Sequence, residues 1–152
     1  MANKSLILVS GSVVFKDSGK NRRWFVVKQG GDGKWEIPKV IVRKTESSVR
    51  ASLRMMGEQG GMRAKVLEEA GRAGGVTTTN GRTIPQRYLY YLMAHKADSG
   101  ESIGFEESAW LDYSKAVRKI SSKRERLMLR QARKELKAWE KRRKKKRLGG
   151  VA

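Results

Sequence analysis

Cysteine is absent from this chain, and histidine occurs once and proline twice in 152 residues. Without thiols there is no disulfide framework and no thiolate metal site. The absence also suits a reducing, cytoplasmic setting. His95 stands alone, so no Ser-His-Asp set suggests itself, and its place at a strand end beside a loop reads as an exposed polar residue. Long apolar runs are missing too. None approaches a membrane span, and no membrane partner is expected. The stretch "KSLILVSGSVVFK" resembles a secretory leader at first glance. Ser10, Gly11 and Ser12 interrupt it and no small-residue cleavage pattern follows, so it reads as a first strand.

Acids are scarce as well. Asp and Glu number 15 against 35 Lys and Arg, for a net charge of +20. A field of that sign draws RNA, DNA or nucleotides; the plain alternative is a solubility device. The excess is uneven. Residues 121–147, "SSKRERLMLRQARKELKAWEKRRKKKR", hold fourteen cations and three glutamates, contributing +11, which leaves +9 for the remainder.

The length is that of one domain able to bury a core without staples. "SLILVSGSVVFKDSG" and "RRWFVVKQGGDG" are strand-like runs that predict a hairpin around "DSGKN". That turn lacks the spacing of a phosphate-binding G-x4-G-K-[ST] loop. A third extended stretch follows at "IPKVIVRK", where Pro38 opposes helix. Residues 46–60 switch to helical spacing, with Val49, Leu53 and Met56 expected on the buried face and Gly60 and Gly61 ending the helix. Residues 63–69 read as a strand with Glu68 and Glu69 exposed. "NG" at 80–81 predicts a hairpin turn, and "IPQRYLYYLMAHK" a central strand. "FEESAWLDY" is a short strand and "YSKAVRKI" a short helix. A long helix starts after Ser121 or Ser122, with Glu125 placed as a capping-box acid and Leu127, Ala132, Leu136 and Trp139 as its apolar stripe. Past Trp139 the stripe stops. The expected division is therefore a domain over 1–139 and a basic tail over 140–152.

The strand pair, "W-x-I-P-K", "E-S…A-x-x-R", a helix ending in Gly and the late "E-x-x-W-L-D-Y-x-x-A" resemble the Nudix hydrolase family. The C-terminal part is similar to the dinucleoside-tetraphosphate pyrophosphohydrolase branch. The resemblance covers roughly residues 5 to 136, a span of ordinary domain size. It implies an α/β/α sandwich with a mixed sheet. The family box, G-x5-E-x7-R-E-U-x-E-E-x-G-U with U aliphatic, lies without gaps on Val40 to Met62. Glu46, Arg54, Met56, Glu58, Gly61 and Met62 match it. By the resemblance Glu46 and Arg54 tie loop to helix, and with Gly61 they are architecture.

Positions 55, 58 and 59 share one helix face by their i, i+3, i+4 spacing. The family has glutamate at all three, which suits Mg²⁺ or Mn²⁺ and metal-assisted phosphoryl chemistry. Here they are Met55, Glu58 and Gln59, and a thioether suits Mg²⁺ poorly. Any Mg²⁺ or Mn²⁺ binding is expected to be weak. It would use Glu58 and Gln59, joined by Glu106 or Glu107 from a late strand or loop. Glu58 would then be the catalytic residue of a remaining hydrolase. Val40 replaces the first box glycine. Lys39, Arg43 and Lys44 would form a basic rim over the phosphate site, or a charged loop that binds nothing. Trp35, Tyr88, Tyr90 and Tyr91 read as core aromatics before they read as base-stacking ones. The tail cations Lys141, Arg142, Arg143, Lys144, Lys145, Lys146 and Arg147 are candidates for sequence-independent phosphate contacts.

Three functions stay open on these residues. The first is a Nudix-fold protein that binds a nucleoside polyphosphate or RNA, with pyrophosphate hydrolysis weak or lost. The second is an active divalent-metal hydrolase with an unusual ligand set. The third is a structural, RNA- or ribonucleoprotein-associated protein.

Overall fold

Gly19, at φ +64°, turns β1 (Ile7–Ser18) into β2 (Asn21–Lys28), so the expected first hairpin is present. The structure is a computed structural model that describes residues 6–149, and the side chains of 147–149 lie outside the description. β3 (Lys39–Ile41) pairs with the first half of β1 on the same edge that β2 uses further along. β5 (Arg82–Asp98) runs parallel to β1 on its other edge. β4 (Met62–Thr79) joins β5 through Asn80 and Gly81, both left-handed at φ 53° and 75°, the backbone a tight hairpin turn demands. β6 (Glu107–Leu111) closes the far edge against β2. The sheet order is β4-β5-β1-β2-β6, with β3 on β1, and the sheet is mixed.

The strand expected at 63–69 continues to Thr79. Gly71, Gly74 and Gly75 do not end it, because β5 pairs along its whole length and three register shifts absorb the irregularity. At Gly71 the missing side chain is required: a Cβ there would lie 2.5 Å from the Gln131 amide oxygen and 2.6 Å from the Met128 sulfur.

α1 (Ser48–Glu58) covers one face of the sheet. α2 (Tyr113–Lys119) and α3 (Lys123–Gly149) cover the other. The result is the expected α/β/α sandwich. Ser47 caps α1 by accepting from the Arg50 N–H, and Asp112 caps α2 by accepting from the Lys115 N–H. Under α1 lie Val14, Phe25, Val27, Met62, Met93 and Phe105, packed on Met55 and Met56. Burying side chains of that size is worth about 1.5–3 kcal/mol each. Hydroxyls dock the same helix: Ser10 donates to the Ser48 carbonyl at 2.7 Å and pairs with Ser52 Oγ at 2.6 Å, and Ser48 Oγ bonds the Tyr91 hydroxyl.

Three expectations about the helices need correction. Of the expected α1 stripe, Val49 and Met56 do pack on the sheet side and Leu53 does not. Ala51, Ser52, Met55 and Met56 are buried while Leu53 is exposed, because the serine bonds and the methionines together set which side meets the sheet. In α3 the buried side chains are Met128, Leu129, Ala132 and Leu136, and Leu127 points to solvent. Glu125 makes no capping box; it turns inward and is 1 % exposed, leaving Ser122 alone to accept from the Glu125 N–H at 3.3 Å. α3 also runs through residues 139 and 140 without a break.

Candidate functional site

The loop before α1 is tied to the helix through Glu46 and Arg54. Glu46 and Arg54 form a two-point pair, Nε to Oε2 at 3.0 Å and Nη2 to Oε1 at 2.6 Å, and Glu46 Oε1 also accepts from the Arg43 N–H at 3.0 Å. The Arg54 hydrogen bond, then the Arg43 N–H, holds the Glu46 carboxyl down to about 2 from an ordinary 4.5. Gly61, at φ +62°, follows the helix end where a Cβ would meet the Glu101 carbonyl at 2.6 Å. Its own carbonyl accepts from Ser99 and Gly100.

The ligand face is a different matter. Met55 is fully buried in the apolar cluster under α1. Its sulfur and methyl fill space where a carboxylate would stand unsolvated. Glu58 is 62 % exposed, with only a loose 4.0 Å approach to Arg54. Gln59 closes the helix; its backbone carbonyl accepts from the Gly104 N–H at 3.1 Å, and a Cβ at Gly104 would sit 2.5 Å from its own Cβ. Glu106 accepts from the Gly31 N–H at 2.7 Å, and Glu107 pairs with Lys28 at 2.8 Å. Glu58, Gln59, Glu106 and Glu107 are therefore not brought to one point. Among the described residues no group of three or more His, Asp or Glu side chains converges as a metal site. One solvated carboxylate beside a buried thioether does not fit Mg²⁺ or Mn²⁺, which need several convergent hard oxygens.

The expected basic rim divides. Arg43 and Lys44 are exposed in the loop before α1. Lys39 leaves them for the opposite side of the sheet. Its ammonium bonds Glu36 Oε1 at 2.6 Å, the Ile37 carbonyl at 2.9 Å and Glu125 Oε2 at 2.7 Å. Glu125 completes its shell by accepting from the Ile37 N–H at 2.9 Å and the Tyr90 hydroxyl at 2.8 Å. Burial, then the Glu125 charge, pushes the Tyr90 phenol far above its ordinary range. This centre borders a cavity of about 260 Å³ that Trp35 and Arg124 also line. Sequence reasoning missed it. The signal was a lone acid between Arg124 and Arg126, in phase with Leu129, Ala132 and Leu136 along one helix face.

The aromatics follow the core reading. Tyr90 is fully buried, Tyr91 nearly so, and Tyr88 stacks on Tyr90 under the Arg124 guanidinium, 4.0 Å away. His95 is not the exposed residue expected: its side chain is 11 % exposed, bonded to Asp98 at 2.8 Å and edge-on to Trp110.

Beyond the sheet, α3 carries Lys141, Arg142, Arg143, Lys144, Lys145 and Lys146, all exposed. Arg147 belongs to the same run, but its side chain lies outside the described residues. Arg142 reaches Glu68 at 3.0 Å and Arg143 lies 4.9 Å from the Trp139 ring. Glu69 is tied to Arg72. Trp139, Glu140 and Arg143 of α3 line a cleft of about 480 Å³ together with Lys65 and Lys96. No sequence pattern marked Lys65 and Lys96, which are 31 residues apart in sequence and adjacent only through the pairing of β4 with β5.

No protein-family profile matches the chain, and no curated protein sequence matches it. Solved structures do. A C. elegans Ap4A hydrolase in a binary complex is 14 % identical with a TM-score of 0.65, over 87 % of this chain and 98 % of that one. The NUDIX domain of Shewanella oneidensis NrtR, complexed with ADP ribose, is 18 % identical with a TM-score of 0.65, over 89 % and 91 % of the two chains. S. oneidensis NrtR complexed with a 27mer DNA is 15 % identical with a TM-score of 0.64, over 85 % of this chain and 61 % of that one. At such identities the likeness is one of architecture: the chain has the Nudix fold. No helix among the described residues is long and apolar enough to cross a membrane.

Proposed function

We propose that this is a Nudix-fold protein that binds a phosphate-rich ligand, RNA foremost, and does not hydrolyse pyrophosphate bonds. The burial of Met55 carries the reading. A carboxylate at that position could gather metal only after the apolar cluster around it had opened. The exposed cations of α3 supply the affinity, through release of counterions from the polymer. The NUDIX domain of NrtR complexed with ADP ribose supports a phosphate-bearing ligand on this fold; the NrtR chain complexed with DNA is matched over only 61 % of its length.

The intact Glu46–Arg54 pair favours a second reading, a divalent-metal hydrolase that recruits Glu58 and a substrate-borne ligand. Two assays separate them. Nucleoside diphosphates and triphosphates, dinucleoside polyphosphates and capped RNA are incubated with Mg²⁺ or Mn²⁺, and phosphate release is followed. The binding reading expects no turnover above background and no change in Glu58→Gln. Turnover that disappears in Glu58→Gln would establish the hydrolase. RNA affinity is then measured against salt. It should fall log-linearly, and deletion of residues 141–152 should flatten the slope by roughly two units or more. Absence of RNA binding at about 50 mM salt would refute the proposal, because phosphate contacts are strong at that ionic strength.

A further inference from the structure

The cleft under α3 has a charge pattern that the projecting helix alone does not explain. Its two acids are already occupied: Arg22 bonds Asp17 at 2.7 Å and Glu140 at 2.8 Å. Lys65 and Lys96 line the cleft too, both exposed, and among the described residues no carboxylate lies within 4.0 Å of either ammonium. Trp139, half-buried, lines the same cleft. It also packs on the core, with the Arg143 guanidinium 4.9 Å from its ring. A volume of about 480 Å³ is within the range of sites that hold small organic groups.

We infer that this cleft seats a single-stranded polynucleotide, with a base against the Trp139–Arg143 surface and neighbouring phosphates on Lys65 and Lys96. The inference rests on the reading of the chain as a nucleic-acid binder and adds where the strand lies and which form is chosen. Bases stack on indole rings and on guanidinium planes, and an unpaired base is free to do so. A duplex keeps its bases paired and stacked internally and can offer the cleft only phosphates. Lys144 lines an adjoining hollow with Trp139, Arg143 and Glu140, the last paired with Arg22, so the cleft continues onto the projecting turns of α3. Stacking accepts any base, and phosphate contacts carry no sequence information. The expected ligand is selected by strandedness and not by sequence.

The test uses the full chain and labelled strands of about twelve nucleotides, the scale of a single-strand site. Single-stranded RNA, single-stranded DNA of the same sequence and the RNA duplex are titrated by anisotropy over a salt series. Wild type should prefer single strands, RNA and DNA alike. Trp139→Leu should weaken single strands about tenfold or more and leave the duplex unchanged. Because Trp139 also packs on the core, a second variant is read beside it. Lys65→Ala/Lys96→Ala changes two exposed side chains and should flatten the single-strand salt slope by roughly one unit. If both variants keep wild-type single-strand affinity while deletion of 141–152 abolishes it, the cleft is not the seat and the binding reading stands. Equal affinity of wild type for duplex and single strand also overturns the cleft. If wild type binds no nucleic acid, both readings fall.

Discussion

The two faces of the sheet treat their carboxylates in opposite ways. Under α1, Met55 is sealed in apolar packing and Glu58 is left to solvent. Under α3, Glu125 is buried almost completely and every direction around it is answered by Lys39, Tyr90 or the Ile37 N–H. The first face holds a loop tied to its helix by Glu46 and Arg54, with Glu58 alone in solvent. The second holds a buried ionic centre that serves as architecture. A buried acid is thus no marker of catalysis here. What decides is whether its neighbours saturate it or leave it coordination to offer.

The largest test of that contrast is Glu125→Ala. It takes one of two carboxylates from the Lys39 ammonium, leaves the Tyr90 hydroxyl and the Ile37 N–H without their acceptor, and should cost about 3–5 kcal/mol in denaturant unfolding. A loss below about 1 kcal/mol would mean that water replaces the carboxylate and the centre is not structural. Next comes the reverse experiment on the other face. Met55→Glu/Gln59→Glu puts a carboxylate into the apolar cluster and should cost about 2–4 kcal/mol without metal. Added Mn²⁺ should return part of that loss as a rise in Tm. If the double variant is as stable as wild type and ignores metal, the face is more open than its packing implies.

A smaller effect belongs to the Glu46–Arg54 pair. The Glu46 carboxyl is depressed in the folded state, so its contribution is fully present above about pH 4.5 and is lost as pH falls toward about 2. Arg54→Ala should lower Tm at neutral pH and remove that part of the acid dependence, checked by thermal melts from neutral pH down. Parallel curves for variant and wild type would show that the pair does not tie the loop. Smallest of all is Arg142→Ala, which breaks an exposed pair with Glu68 and should change stability by about 0–1 kcal/mol. A larger loss would mean that the end of α3 is held to β4 as firmly as its start is held to the core.

Local chemistry made much of this fold legible. The Asn80–Gly81 turn, the glycine after α1 and the alternation of the strands placed the elements in order. That Met55 and Gln59 stand where the resemblance implies glutamates was equally plain in the sequence. The rest depends on partners far away in the chain. Leu53 and Met55 are both apolar, and only docking through Ser10, Ser52 and Tyr91 decides that the methionine is buried. Lys39 sits beside Val40 and Arg43 in sequence, yet its ammonium is claimed by a glutamate 86 residues on. The glycines of β4 suggested a break because the pairing strand that holds them extended is itself distant.

The unbroken course of α3 into its basic end has a consequence for stoichiometry. Successive residues of an α-helix are set about 100° apart around its axis. The six side chains from Lys141 to Lys146 therefore radiate through the full circle. Under the proposed binding, one strand lying along the rod would meet roughly half of these six, about three, which puts their share of the salt slope at about two to three units. The cations on the far side stay free to grip a second strand. At low salt the protein should then act as a crosslinker, and light scattering of RNA mixtures should climb as protein is added and collapse as salt is raised. Clear solutions holding one protein per strand at every ratio would rule that out.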